Sequence, residues 1–237
     1  MRNLVLIPTY NERENVSAMV DKVFSLPVEF DILVIDDGSP DGTADIVRER
    51  QKDYPDRLHL LCRQGKLGLG TAYLAGFRWG LERDYDYIIE MDCDFSHNPD
   101  DLKRLATRLE TDADVAIGSR YVRGVNVVNW PLSRLLMSYF ASKYVKIVTG
   151  MPVCDATAGF VGYRANVLRT IDLDRVQMIG YGFQIEMKYT AWKYGFKIAE
   201  ESIIFVDREA GTSKMSSGIF GEAFFGVLKL PFRNVKR

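Results

Sequence analysis

Several features that mark large classes of protein are scarce or absent in this sequence. Only three cysteines occur in 237 residues, Cys62, Cys93 and Cys154, with no CxxC spacing and no even count to form pairs. We therefore expect a reducing compartment. Lys and Arg number 31 against 32 Asp and Glu, so the net charge near −1 supplies no basic field, and we expect no nucleic-acid partner.

Long hydrophobic runs are absent as well. The first apolar run, residues 4–7, ends at Pro8, whereas a signal peptide needs an apolar region of roughly 7–15 residues. No run of about 18 uncharged apolar residues occurs, so we expect no helix that spans a bilayer. The sequence thus predicts a cytoplasmic protein whose membrane contact is peripheral, and its length predicts a single α/β domain over residues 1–237.

The first half of the chain alternates short apolar runs with segments of helical period, which is typical of βαβ units and a parallel sheet. Strands are predicted at residues 4–7, 32–35, 58–61, 87–91 and 115–119, and strand-like runs return at 159–163 and 203–206. Helices are predicted near residues 12–24, 43–52, 71–81 and 100–110. Asn11, Asp41 and Asn98 are the expected caps of the first, second and fourth helix.

Polar clusters follow each of the first four predicted strands. In an open α/β sheet the ligand lies beyond the carboxyl ends of the strands, where helix N-termini and loop amides gather. The sequence therefore predicts a nucleotide site at this edge of the sheet. The clusters are Pro8-Thr9-Tyr10-Asn11-Glu12, Asp36-Asp37-Gly38-Ser39, residues 63–70 and Asp92-Cys93-Asp94.

Asp92 and Asp94 are spaced i, i+2, which places both carboxylates on one side of an extended chain. Hard oxygen ligands of this kind suit Mg²⁺ or Mn²⁺, which leave positions for waters and for phosphate oxygens of a substrate. An isolated Asp-x-Asp is more often a turn before a helix. Its place after the fourth strand disfavours a haloacid-dehalogenase-type phosphatase, because those enzymes carry the motif after their first strand.

Asp36 and Asp37 leave two interpretations open. Asp-Gly-Ser is ordinary turn chemistry, whereas two adjacent carboxylates repel one another and tend to persist where a base, a ribose or a cation binds them. The glycines of residues 65–70 match neither the phosphate-loop nor the dinucleotide-binding pattern, and the first strand is followed by no glycines. An NAD enzyme or a P-loop NTPase is therefore disfavoured.

Basic side chains and amphipathic segments are found in the second half of the chain. Residues 133–148 and 219–230 combine an apolar, aromatic face with basic residues, which is typical either of a core-facing helix or of a helix that lies in a bilayer interface. Four cations have the chemistry to bind phosphates and suggest a place where two phosphorylated substrates meet. These are Arg120, Arg134, Arg208 and Lys214.

Taken together, six segments resemble the dolichol-phosphate mannose synthases, inverting glycosyltransferases of family 2. Their order and spacing cover nearly the whole chain. The resemblance implies an α/β, GT-A (Rossmann-like) fold with a mixed central sheet flanked by helices. It also implies transfer of mannose from GDP-mannose to a polyprenyl or dolichyl phosphate on the cytosolic face of a membrane. The segments are residues 8–12, 36–43, 65–70, 91–97, 118–121 and 208–214.

The resemblance further implies roles for individual residues. A nucleotide-binding half, residues 1–119, would form the guanosine pocket from Pro8, Tyr10, Glu12, Ile35 and Asp37. The metal motif for Mg²⁺ or Mn²⁺ would be Asp92, Cys93 and Asp94, with Ser96 at the third metal position. The donor diphosphate would be held by Arg208 and Lys214. An acceptor-binding half, residues 120–237, would receive the lipid phosphate at Arg120, Arg134 and Ser138.

The sequence departs from the family pattern in three places. Ser96 stands where some members have Gln, and Ala158 replaces Ser in the segment 155–160. Many relatives also carry C-terminal transmembrane helices, which this sequence lacks. The chain thus resembles the form of the enzyme that binds the membrane through its own helices or uses a small membrane-anchor subunit.

Three other functions are weighed against this one. A polyprenyl-phosphate glucosyltransferase that uses UDP-glucose shares the same motifs. A sugar-1-phosphate nucleotidyltransferase would need a Gly-rich Arg/Lys loop after the first strand, and none is present. A nucleotide-sugar-binding or membrane-adaptor module would bind ligand without turnover, and the carboxylate pair together with the phosphate-binding cations disfavours it.

Overall fold

Strands and helices alternate along the first half of the chain in the computed structural model, which describes residues 1–207 and 218–233. The strands are β1 (Asn3–Thr9), β2 (Asp31–Asp36), β3 (Leu58–Cys62), β4 (Tyr87–Glu90) and β5 (Val115–Ser119). The helices are α1 (Val16–Phe24), α2 (Thr43–Arg50), α3 (Leu69–Leu81) and α4 (Leu102–Thr111). β1 pairs in parallel with β2 and β4, and β2 with β3, as the βαβ pattern predicts.

The second half adds strands to the same sheet. Its elements are β6 (Val127–Val128), α5 (Leu132–Thr149), β7 (Val161–Arg164), α6 (Ala165–Thr170), α7 (Tyr181–Lys193), β8 (Ile198–Ser202), β9 (Phe205–Val206) and α8 (Gly218–Lys229). The strand order is β3-β2-β1-β4-β7-β5-β8, and β7 runs antiparallel to both β4 and β5. The central sheet is therefore mixed. β6 and β9 form a separate parallel pair.

The strands of the central sheet are buried on both faces because apolar residues occupy successive positions. In β1, Leu4 and Leu6 face one core, which α3 and α7 cover, whereas Val5 and Ile7 face the other, which α1 and α4 cover. Because helices cover both faces of the sheet, the edge at the carboxyl ends of the strands remains open to a ligand. Over the described ranges, no helix has both the length and the apolar character needed to cross a bilayer.

The predicted start of the first helix was wrong. Asn11 has a left-handed backbone, with φ of 56°, and α1 begins only at Val16. Asparagine tolerates this conformation better than most residues, so the chain turns between the strand and the helix instead of entering the helix directly. The amides of Asn15 and Val16 both donate to the carbonyl of Glu12, which closes the turn.

Of the other two predicted caps, Asn98 is confirmed, whereas the N-cap of α2 is Gly42, with φ of 87°, and Asp41 lies one residue before it. Asp41 Oδ1 accepts a hydrogen bond from the backbone N–H of Thr43 at 3.0 Å, and Asn98 Oδ1 accepts one from Asp100 at 3.0 Å. These bonds satisfy amides that have no partner inside the helix. They fix the starts of α2 and of the short 3₁₀ turn before α4, next to two of the polar clusters.

Candidate active site

One cavity of ≈ 1110 Å³ opens at the carboxyl ends of the strands. It brings together residues that the sequence assigns to three different ligands, although they come from distant parts of the chain. From the nucleotide side, Pro8, Tyr10, Glu12 and Asp37 line it. From the metal motif, Asp92, Cys93, Asp94 and Ser96 line it. From the acceptor side, Arg120, Arg134 and Ser138 line it.

Among the described residues, Ile35 is the predicted site residue that does not line this cavity. Ile35 is fully buried in the core, and a Cβ added to Gly76 would lie 2.7 Å from its Cδ1. Its side chain therefore packs against α3, which leaves only its backbone for the predicted guanosine pocket. Arg208 and Lys214 lie outside the described residues.

Both carboxylates of the tandem acid have partners within the protein. Asp36 accepts hydrogen bonds from Thr9 Oγ1 at 3.1 Å and from Ser39 Oγ at 2.6 Å, so ordinary turn chemistry accounts for it. Asp37 forms a bidentate ion pair with Arg63, at 2.7 and 3.1 Å. Arg63 was predicted only as part of the polar cluster 63–70, and its pairing with Asp37 was not predicted. It fixes the orientation of the one carboxylate of the pair that lines the cavity.

The glycines of residues 65–70 allow a close approach of two segments. Gly70 N donates to the carbonyl of Ile179 at 2.8 Å, and a Cβ at position 70 would lie 2.8 Å from that oxygen. Only a glycine fits at this distance. The start of α3 therefore docks against the segment before α7, and Ile179 and Gly180 join the cavity wall.

The metal motif turns sharply after β4. Asp94 Oδ1 accepts a hydrogen bond from Ser96 N at 3.1 Å, and Phe95 has a positive φ of 59°. The amide of Asp92 donates to Nδ1 of His97 at 3.4 Å. Burial lowers the pKa of His97 to about 4, so its imidazole is neutral and accepts this bond. The sequence showed His97 only as part of a helix start.

The oxygen donors of this motif fit a hard divalent cation. Within residues 1–207 and 218–233, no three His, Cys, Asp or Glu side chains cluster as a metal site. Asp92 and Asp94 supply two carboxylates, and the buried Ser96 Oγ has no hydrogen-bond partner among the described atoms. Two carboxylates and a hydroxyl leave coordination positions for water and phosphate, as Mg²⁺ and Mn²⁺ require.

A buried polar group lies beside this motif and was missed by sequence reasoning. It consists of Glu90, Gln184 and Lys188, all essentially inaccessible to solvent. Gln184 Nε2 donates to Glu90 at 2.7 Å, and Lys188 Nζ donates to the carbonyls of Ala158 at 2.6 Å and Ala156 at 3.1 Å. Burial raises the pKa of Glu90 to about 8 and lowers that of Lys188 to about 8. The sequence signal that could have revealed this group is the presence of charged residues within otherwise apolar strand and helix segments.

Arg120 and Arg134, the two arginines predicted for the acceptor phosphate, are each paired with a carboxylate. Arg120 forms a bidentate ion pair with Asp155, at 2.7 and 2.6 Å, and its own amide donates to the same carboxylate at 2.9 Å. Burial raises the pKa of Asp155, but the ion pair with Arg120 outweighs this and brings it below its usual value. Arg134 donates to Asp207 at 2.8 Å. These pairs orient both guanidinium groups along the cavity wall.

Ser138 is oriented by a neighbouring phenol. The hydroxyl of Tyr121 donates to Ser138 Oγ at 2.8 Å. Because the phenol is the stronger acid of the two, it acts as the donor, and the serine hydrogen points away from it. Ser138 can therefore donate that hydrogen to an anion in the cavity.

The far end of the cavity is apolar. Phe140 and Tyr144 of α5 face Phe224 and Val227 of α8 there. The rings of Tyr144 and Phe224 stack with centroids 4.9 Å apart, and the Tyr144 hydroxyl donates to the carbonyl of Phe224 at 3.0 Å. Further exposed apolar side chains lie on the same two helices and on the turn after α8. They are Leu132, Leu136, Met137, Phe225, Leu228 and Phe232.

The chain has the GT-A fold. This class is defined here by the strand order, the Asp-x-Asp motif after the fourth strand and the cavity beyond that motif. Residues 4–172 match the model of glycosyl transferase family 2, and the chain belongs to this family. The resemblance read from six sequence segments is thereby confirmed at the level of family and fold.

Curated relatives match over nearly the full length of the chain. An undecaprenyl-phosphate mannosyltransferase of Micrococcus luteus is 49% identical over 229 residues, which cover 97% of this chain and 93% of that protein. A polyprenol monophosphomannose synthase of Mycolicibacterium smegmatis is 48% identical over 232 residues, covering 98% of this chain and 88% of that one.

More distant solved structures share the fold. Glucosyl-3-phosphoglycerate synthase from Mycobacterium tuberculosis, with Mn²⁺, UDP and glucosyl-3-phosphoglycerate, has a TM-score of 0.64 at 16% identity, covering 97% of this chain and 78% of that one. TarS residues 1–349 from S. aureus, with UDP, has a TM-score of 0.60 at 18% identity, covering 98% and 64%. At these identities the likeness concerns the fold alone.

Replacing Glu90 by Gln is expected to change the pH dependence of stability. The pKa of Glu90 is about 8 in the folded protein against 4.5 for the free group, so the folded state holds a proton that the unfolded state releases between these values. The contribution of Glu90 to the free energy of unfolding therefore falls as pH rises through this interval. Urea denaturation at about pH 5 and about pH 8 should show a smaller fall for Glu90→Gln than for the wild type.

The matched control is Glu82→Gln, the same change at an exposed position after α3. It should keep the pH dependence of the wild type. An unchanged pH dependence in Glu90→Gln would contradict the buried proton.

Proposed function

We propose that this chain transfers mannose from GDP-mannose to a polyprenyl or dolichyl-type monophosphate with inversion at the anomeric carbon. The observation that carries the proposal is the single cavity that runs from the nucleotide-side residues, past the Asp-x-Asp motif and two arginines, to an apolar mouth. A phosphorylated lipid has the same order of parts, a charged head and an apolar tail. The names of the two curated relatives support both the sugar and the lipid phosphate.

On the donor side, Asp92 and Asp94, with Ser96, would hold Mg²⁺ or Mn²⁺. When bound, such a cation neutralises the charge that develops on the leaving diphosphate. The M. tuberculosis neighbour, whose structure contains Mn²⁺ and UDP, supports a divalent metal in this proposal. Arg208 and Lys214 complete the diphosphate site in this proposal, on the strength of the family resemblance.

On the acceptor side, the nucleophile is an oxygen of the lipid phosphate. A phosphate monoester is already anionic near neutral pH, so no protein base has to remove a proton. The two nearby groups that could act as a base are not suited to this role. His97 already accepts a hydrogen bond from the backbone amide of Asp92, and Glu90 is buried and holds a proton. The chain also lacks the QxxRW signature of processive family 2 enzymes. Its main task is to position two anions for attack opposite the leaving group.

The lipid tail leaves the cavity through the mouth between α5 and α8, and the exposed apolar side chains on these helices and on the turn after α8 contact the membrane. Such helices lie in a bilayer interface with their apolar face buried. The protein is then peripheral on the cytosolic face. A small membrane-anchor subunit is the other means by which the same catalytic chain reaches its lipid.

A panel of donors tests the reaction itself. Purified protein is given GDP-mannose, UDP-glucose or UDP-GlcNAc with a polyprenyl phosphate and Mg²⁺ or Mn²⁺, and lipid-extractable sugar is measured. We expect mannose lipid from GDP-mannose at a rate at least about tenfold above the other donors. Product from UDP-glucose alone would indicate the polyprenyl-phosphate glucosyltransferase instead. Nucleotide-sugar binding without lipid product would indicate a binding module.

The carboxylate pair is tested by Asp94→Ala. Because this change removes a charged ligand opposite the leaving diphosphate, we expect transfer to fall by at least about 100-fold, and EDTA to abolish the wild-type activity. Asp56→Ala, at an exposed carboxylate between α2 and β3, is the matched control and should keep wild-type rates. Wild-type turnover by Asp94→Ala in EDTA would remove the metal from the mechanism.

The membrane surface is tested with Phe225→Ser and Phe232→Ser, whose rings are 63% and 88% exposed. Burying one phenylalanine in an apolar phase contributes about 1.5–3 kcal/mol, so the double variant should bind lipid vesicles at least about tenfold more weakly in cosedimentation. Turnover of a water-soluble, short-chain prenyl phosphate should not change. Equal cosedimentation of variant and wild type would contradict this surface, and a wild type that does not cosediment would indicate an anchor subunit.

A further inference from the structure

Trp130 occupies a junction of the acceptor side of the cavity. It lies directly between β6 and α5, after Asn129, whose positive φ of 62° turns the chain. Its ring is half-buried, lines the cavity and meets the ring of Phe205 edge-on, with centroids 5.2 Å apart. Phe205 belongs to β9, which pairs with β6. One strand of the small sheet therefore leads into Trp130, and the other strand supplies the ring that packs against it.

Arg120 and Arg134, the arginines predicted for the acceptor phosphate, both contact this one ring. Cζ of Arg134 lies 4.2 Å from the centroid of Trp130, and Cζ of Arg120 lies 5.4 Å from it. Each distance is within about 6 Å, where a guanidinium group is attracted to the electron-rich face of an indole. Because both Cζ atoms lie near the same ring, the two guanidinium groups are close neighbours. Their like charges repel, so another contact must hold them together.

The ring adds a constraint to those of the carboxylate partners. Asp155 accepts hydrogen bonds from the guanidinium group of Arg120, and Asp207 accepts one from that of Arg134. The ring of Trp130 contacts both guanidinium groups. It is also not a member of either large core cluster.

We propose that Trp130 is a positioning residue of the acceptor site. Its ring keeps the guanidinium groups of Arg120 and Arg134 side by side on one wall, where both face the phosphate of the lipid acceptor. The inference rests on the proposed function, since it takes a phosphate monoester as the ligand of these arginines. Two cations held in advance at a fixed spacing lose little freedom when the phosphate binds.

The test compares Trp130→Leu with Trp130→Phe, because leucine removes the aromatic face and phenylalanine keeps one. A short-chain, water-soluble prenyl phosphate is the acceptor. For Trp130→Leu we expect KM for the acceptor to rise about tenfold while KM for the nucleotide sugar stays within about twofold. For Trp130→Phe we expect both KM values to stay within about threefold of the wild type.

The matched control is Trp79→Leu. The ring of Trp79 also carries an arginine, with Cζ of Arg83 at 4.0 Å, but it lies on α3 outside the cavity. This variant should keep both KM values of the wild type. Equal rises of the two KM values in Trp130→Leu, or a loss in Trp130→Phe as large as in Trp130→Leu, would overturn the positioning role.

Calorimetric titration with the same prenyl phosphate, without donor, separates this inference from the proposed function. Trp130→Leu should raise the Kd for the prenyl phosphate about tenfold whether or not sugar is transferred. A Kd equal to that of the wild type would overturn the role of Trp130 and leave the proposed reaction untouched. Wild-type protein that binds the prenyl phosphate but makes no sugar lipid would overturn the proposed reaction alone.

Discussion

The buried ion pair between Arg120 and Asp155 is the interaction on which the cavity depends. Asp155 is fully buried, and it accepts hydrogen bonds from both the side chain and the amide of Arg120. Lys188 holds the carbonyls that follow Asp155 in the loop. Removing one partner of such a pair leaves an uncompensated buried charge, which typically costs about 3–5 kcal/mol. The pair therefore ties the end of β5 to the loop before β7, and with it the two halves of the chain.

The proposed reaction brings two anions into the cavity, yet three described arginines at this site are each paired with a carboxylate. Paired guanidinium groups keep their orientation without ligand, and the protein avoids burying unbalanced positive charge. In the proposed reaction, the phosphate of the acceptor would meet hydrogen-bond donors that are already in place. The fixed orientation of the guanidinium groups matters more for anion binding than the net positive charge of the site. The pairs are Arg63–Asp37, Arg120–Asp155 and Arg134–Asp207.

The five strands of the first half and the place of Asp92 and Asp94 could be read from the sequence, because they depend on local periodicity and on the edge rule for α/β sheets. The insertion of β7 could not, since pairing across about seventy residues leaves no local pattern. His97 and Lys188 were missed because their roles come from burial, and Trp130 because its two arginines are brought to it by the fold. The all-round burial of α7 likewise hides the helical period.

The position of β7 has a consequence for how the chain is made. β5 pairs with β7 and β8, both of which come later in the sequence, and does not pair with any of the four strands before it. During synthesis both edges of β5 therefore stay unpaired until its partners β7 (Val161–Arg164) and β8 (Ile198–Ser202) have left the ribosome. The two halves of the chain share one sheet and must therefore fold as one unit, and a gene fragment that ends after β5 would encode an aggregation-prone chain.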